Sequence, residues 1–487
     1  MKKALDVKVN VKPVFSSMIH ADAWEGPCRV GSKEELSKEH EIEVNEKQFS
    51  TWREVLEEHL DTSVANVMEP VYIEFSETFV VPDSEFKKLE KDVFETDIYL
   101  ITYRVPGLEK FDKPVAMINL GPTPVDLVAY YTDINKEAYM AHDYEEFNEL
   151  LELLQIRKAI ANTKIMILSG SEIVPVSVNS SFYNLPVLEE KYGIRNNRLT
   201  YRMVFDEMEK LKKEGCEDVG RITSGLLASS QKNTIEKEDL TQDIYFYQAV
   251  KNIMEEFDCN AFTIPCKDLC ASRFPEKMRC VPCVAHSLLK DEKIPTACEE
   301  DLSAWLAVTF LMYISKKSVF MGNPVLVKKG KYSIEELGIM KGLVSTPAYT
   351  FDEELLEIHH STPGIKMDGF DKASLPYEIG HFTYEGWGGK IQIDMADHDD
   401  KTVTLARFNR SGNKVIVAKA EIVACEFREI YCSPAVYYKV EGGARNLRQR
   451  LAKGCYGHHL AVVYGDYTEK MCSLGEIMGF DVEVFNA

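Results

Sequence analysis

The chain has 487 residues, too many for one ordinary core, so about three domains are expected. Its 57 basic residues against 78 acidic ones give a net charge of -21, the wrong sign for neutralising phosphates; nucleic acid and anionic membrane surfaces are excluded as natural partners. Twelve cysteines are too sparse for a disulfide scaffold.

The opening MKKALDVKVNVKPVF alternates valine with polar residues, the pattern of a strand; no apolar export signal follows its lysines, and a cytoplasmic protein with reduced thiols is expected. Strand-like runs follow at VYIEF (71), DIYLITYRV (97), VAMINLG (115) and VDLVAYY (125), interleaved with helical segments such as YEEFNELLELLQIRKAI. This alternation predicts an α/β domain with a largely parallel sheet over residues 1–162. A second unit starts at the strand KIMILSG (164) and runs through helices near 204–213 and 240–257, the strand NAFTIP (260) and a helix over 285–289. It is assigned to 163–345. The apolar stretch LSAWLAVTFLMYI from Leu302 is shorter than the roughly 20 residues of a membrane-spanning helix. From 346 onward short alternating strands (GKIQIDMA, TVTLARF, KVIVAKAEIVACEF, AVYYKV, HHLAVVY) separated by Gly, Asn and Asp predict a mostly antiparallel, β-rich domain over 346–487. The fold class is therefore α/β: two α/β domains with largely parallel, Rossmann-like sheets, followed by a β-rich one. No phosphate-binding Gly-rich loop precedes a helix anywhere.

Three features carry candidate chemistry. Cys280 and Cys283 form a C-x-x-C pair, but a tetrahedral zinc site needs a second close pair, and Cys266 and Cys270 stand four apart before a Pro-interrupted segment. Buried packing is the ordinary fate of reduced cysteine, and a thiol-redox or zinc role is the competing reading. Glu276 in RFPEK and Asp301 in ACEEDLSAWL lie where strand-helix units deliver functional groups; a solvated loop acid and a helix N-cap are their plain alternatives. Histidines are paired at His359-His360 and His458-His459, and strand alternation would let only one of each pair face a given site.

Taken in order, RFPEK, PCVAHSLLKDEKIPTACEEDLSAWL, the β-rich NRSGNKVIVAKAEIV and GHHLAVVYGD resemble the L-fucose isomerase and L-arabinose isomerase superfamily, in its fucose-isomerase-like branch. The motifs cover residues 260–487, and the first 250 share only the α/β texture. The resemblance implies a metal-dependent aldose-ketose isomerase that works through an enediolate on an open-chain sugar. Glu276, Asp301 and His459 would hold a divalent cation, most naturally manganese, with Glu276 and Asp301 also moving the proton between C2 and C1. Oxygen and imidazole donors together suit manganese, iron or cobalt, whereas a thiolate-rich set would suit zinc. His458 and His360 would contact substrate. In such proteins a neighbouring subunit reaches into the site, which here points to the loop carrying Trp24 and Arg29 and to a homo-oligomer, a trimer or hexamer. Glu300, between Glu299 and Asp301, departs from the small residue usual there and adds a negative charge. A non-catalytic sugar-binding protein on the same fold is the other alternative.

Overall fold

The structure is a computed structural model and describes residues 2–170, 178–182, 184–331 and 347–486. The chain divides into two compact units, Val7–Lys158 and a larger one made of Met1–Asp6 with Ala159–Ala487. In the first, the valine alternation of the N-terminus becomes β1 (Val9–Ile19), which pairs in parallel with β2 (Ala65–Val67), β3 (Val71–Ser76) and β4 (Ile98–Ile101). The sheet continues in parallel through β5 (Val115–Ile118) to β6 (Ala138–Ala141). The run at 125 is a helix, Thr123–Asp133, and not the strand its valines suggest. Pro124, Leu127 and Tyr131 recur at helical spacing on its buried face, and a proline in the first turn starts it without loss of an internal hydrogen bond.

In the larger unit β7 (Lys164–Ser169), β8 (Arg195–Thr200), β10 (Ala261–Ile264) and β11 (Thr296–Cys298) form a second parallel sheet in the order β11-β10-β7-β8. The short β9 (Lys232–Asn233) belongs elsewhere, beside β14 (Glu378–His381) and β15 (Gly389–Gln392). The third layer is an antiparallel barrel. Its strands are β12 (Phe320–Val327), β13 (Leu355–His359), β16 (Thr402–Phe408), β17 (Lys414–Glu426), β18 (Ala435–Val440) and β19 (Leu460–Tyr464). They run in the order β16-β19-β12-β13-β18-β17, and pairing of β16 with β17 closes the ring. The last strand, β20 (Asp481–Phe485), adds in parallel to β17. The barrel thus takes β12 from ahead of residue 345; the 345/346 division itself lies outside the described residues.

Between parallel sheet and barrel runs the helix Leu302–Ser315. Every residue from Leu302 to Ile314 is buried, and it packs on β11, β16 and β19. Apolar on all sides, it is a core helix of the kind that must be covered all round. Among the described residues no helix is long and apolar enough to cross a membrane.

Candidate functional site

The chain leaves β11 at Cys298 and enters that central helix in three residues, Glu299, Glu300 and Asp301. Glu299 (φ 62°) and Glu300 (φ 52°) both adopt the left-handed conformation, which is costly for residues with a Cβ and concentrates at functional sites. The turn lies at the carboxyl end of the parallel sheet, the edge at which α/β sheets bind ligands.

Asp301 caps the helix, its Oδ1 accepting from the Ala304 amide at 3.2 Å. The cap is only part of its work. Arg407 of β16, fully buried, donates from Nη1 to Oδ2 at 2.7 Å and from Nη2 to Oδ1 at 3.2 Å. Oδ2 also takes Nδ1 of His459 at 2.8 Å. Asp301, expected from the sequence to be a metal ligand, has both oxygens engaged in this way, Oδ2 with both Arg407 and His459. Burial alone would raise its pKa, but the Arg407 charge and the His459 bond outweigh burial and hold the carboxyl below its ordinary range.

With Nδ1 donating to Asp301, Nε2 is the remaining ring nitrogen of His459; it is buried and has no hydrogen-bond partner among the described residues. That nitrogen lies 3.8 Å from Oε1 of Glu299, and Nε2 of His360 lies 3.7 Å from the same oxygen. Both separations are too long for hydrogen bonds and suit donor atoms that share a cation at bonds of about 2.0–2.2 Å. A carboxylate behind the far nitrogen of a histidine is the usual way to fix the tautomer of a metal-binding imidazole. Glu299, His458 and His459 bring ligand atoms within 4.8 Å of one another, a group able to hold a metal ion. Burial would raise the Glu299 pKa; the nearby imidazoles of His360 and His459 outweigh it and hold the carboxyl below its ordinary range. Lys267 closes the other side, 2.9 Å from Oε2. The donor set therefore fits a divalent cation.

The histidine pair at 458 and 459 does not alternate as in a strand. β19 begins only at Leu460, and His459 is left-handed (φ 61°), so the two rings lie side by side, 4.2 Å between centroids. At the other pair alternation holds: His359, on β13, turns to Glu357 at 2.8 Å, while the buried His360 faces Glu299.

Two residues selected from the sequence stand differently. Glu276 is exposed on the short helix Phe274–Met278 and pairs with Arg273 at 2.7 Å, outside the group of metal-ligating side chains. Arg29, in the first unit, is buried and spent on its own loop: it binds Glu41 at 2.6 Å, the Leu36 carbonyl at 2.7 Å and the carbonyls of Asp22 and Trp24. The residues missing from the sequence reading are Glu299 and Arg407. The signal for Arg407 was an arginine inside the apolar strand TVTLARF, which calls for a buried partner. For Glu299 it was three consecutive acids ahead of an apolar helix, a pattern that does not say which acid faces inward. Cys280 and Cys283 are buried and their thiol pKa values are pushed well up by that burial, the reverse of an activated thiol.

Fold and site together define an α/β-plus-barrel protein with a candidate metal centre where the barrel meets the edge of a parallel sheet. No family model matches the sequence. The chain is 20% identical over 338 residues, 69% of its length and 67% of theirs, to the sulfoquinovose isomerases of Priestia aryabhattai and of Priestia megaterium strain ATCC 12872 / QMB1551. It therefore has a distant likeness to isomerases that act on a sugar.

Proposed function

We propose that this protein is a metal-dependent isomerase that interconverts an aldose and a ketose. One observation carries the reading: Nε2 of buried His459, without a hydrogen-bond partner among the described residues and backed by Asp301, faces the Glu299 carboxylate in a chain distantly similar to sulfoquinovose isomerases. Glu299 and His459, with His458 at the rim, would hold the cation, and manganese is the ion that suits a carboxylate and imidazole set. When bound, such an ion polarises the carbonyl next to the carbon that loses its proton.

The chain's own residues do the rest. Asp301 holds His459 in the tautomer that presents Nε2, and Arg407 holds Asp301. Glu299, ionised and adjacent to the reacting end of the sugar, is assigned the proton exchange between C2 and C1 in place of Glu276. His360, with Nε2 3.7 Å from Oε1 of Glu299, would contact substrate. The central helix packs against the barrel strand β16, which carries Arg407. A homo-oligomer in the cytoplasm acting on a small carbohydrate remains the proposed setting.

The test is elemental analysis of the purified protein with activity on a panel of aldoses, before and after chelation and manganese return. About one metal per subunit and chelator-sensitive ketose formation restored by manganese is the expected result. Tightly retained zinc with no turnover would return the cysteines to first place.

A further inference from the structure

Residues 178–182, with the sequence VNSSF, lie in no helix or strand and have no role in the reading above. They nevertheless meet both the turn that carries Glu299 and the chain that leads to His458. The segment is anchored at its two ends. Val178 and Phe182 are buried, and the Phe182 ring lies where a side chain would stand at Gly412, in the turn between β16 and β17; a Cβ added there would be 2.4 Å from the ring. The Ser181 amide donates to the Val178 carbonyl at 3.0 Å and rounds the segment into a turn. Two apolar anchors thus present two hydroxyls, those of Ser180 and Ser181, at fixed positions.

Ser181, fully buried, serves the turn after β11. Its Oγ accepts from the Leu302 amide at 2.8 Å and donates to the Glu300 carbonyl at 3.2 Å, with the Phe182 carbonyl a more distant acceptor at 3.4 Å. The Leu302 amide opens the central helix and so has no partner inside it. Glu300 and Leu302 flank Asp301, so one hydroxyl ties down the chain on both sides of that residue, directly after the two left-handed glutamates. Such conformations persist where the surrounding structure over-determines them. Ser180 serves the barrel side. Its Oγ accepts at 3.3 Å from Nη2 of Arg407, the residue that holds Asp301. It also lies against Gly457, immediately before the histidine pair: a Cβ at that position would stand 2.0 Å from Ser180 Oγ, and its φ of 95° itself favours glycine.

We propose that Ser180 and Ser181 are positioning residues for the metal group, bracing the turn of Glu299 and the approach to His458 and His459 against one another and so setting the affinity for the cation. The proposal rests on the metal-site reading. Ser181 acts on Glu299 through the backbone of its turn, and Ser180 acts on the histidines through Arg407 and Gly457. Loss of a group that orients a ligand weakens metal binding although every ligand is still present.

The experiment is competitive manganese titration of the full-length protein, with the visible absorption spectrum of its cobalt(II) form as a second readout. The parent should bind manganese. Ser181→Ala should bind it about tenfold more weakly and shift the cobalt bands while keeping the gel-filtration and circular dichroism profiles of the parent, and Ser181→Thr, which retains the hydroxyl, should return to within about threefold of the parent. Ser180→Ala should weaken binding in the same direction and decides the matter if Ser181→Ala misfolds. A serine with a merely structural role would lower the melting temperature and leave manganese affinity and the cobalt spectrum unchanged. That result in both alanine variants, or a threonine variant that binds no better than the alanine one, overturns the proposal while leaving the metal-site reading intact. A parent that binds neither manganese nor cobalt overturns that reading and the brace with it.

Discussion

Replacing Asp301 by Asn separates the two tasks given to this carboxylate, holding Arg407 and orienting His459. Arg407 and Asp301 are both fully buried and joined at 2.7 Å and 3.2 Å, so the variant leaves a guanidinium without its counter-charge. Breaking a buried pair from one side costs about 3–5 kcal/mol. For a unit of this size that is a fall in melting temperature of roughly 4–7 °C. Loss of an orienting carboxylate lowers metal affinity by about 10–100-fold. Substituting Met for Arg407 in the same protein removes the stranded charge. The double variant should therefore regain most of the lost stability yet keep the reduced metal affinity, since Arg407 contributes no ligand atom. Scanning calorimetry of the chelated proteins and competitive manganese titration read the two quantities separately. If Asp301→Asn binds no metal at all while melting like the parent, Asp301 is a ligand and the assignment made here is wrong.

Further outcomes are expected elsewhere. Glu299→Gln and His459→Ala should each lose bound metal on gel filtration, whereas Glu276→Gln, altering an exposed acid, should keep its metal content and change stability by no more than about 0.5 kcal/mol. Because the folded pKa of Asp301 lies below the ordinary one, its stabilisation is complete above about pH 4 and is lost as the pH falls further. Acid melting curves of Arg407→Met, in which the depression is relieved, should show a weaker loss over that range. Thiol labelling of the native protein should modify the exposed Cys28 and Cys455 well before the buried Cys280 and Cys283, and Cys280→Ala should leave metal content unchanged.

Much of the scaffold was legible because it obeys simple periodicities. KIMILS, TVTLARF and AVYYKV are strands since their β-branched and aromatic residues pack on both faces of a layered core, and the parallel sheets followed by an antiparallel barrel match the expected class. Where two periods compete, the pattern misled: VDLVAYY offers valines to a strand and Leu127 with Tyr131 to a helix, and the tertiary face decided. At the site, the motif CEEDL was found, but its assignment depended on backbone angles. Two left-handed residues in succession turn Glu299 toward the histidines and leave Asp301 beneath them, and no propensity predicts that of glutamate. The N-cap reading of Asp301 and a functional reading were posed as rivals, and one carboxylate both caps the helix and bonds His459.

The position of Arg407 has a further consequence. Asp301 comes from the turn after the parallel sheet, Arg407 from the barrel strand β16 and His459 from the approach to β19, so the pocket's tautomer is defined only after barrel and sheet have docked. The sheet side supplies Glu299 of the donor set, and the barrel side His458 and His459. Under the proposed function cation binding and layer docking are linked quantities: an ion that recognises only the assembled pair stabilises their union by RT ln(1 + [M]/Kd). Metal affinity becomes a gauge of how firmly the two layers are joined, and a substitution deep in the central helix that loosens them would be read first as weaker metal retention, before any loss of secondary structure.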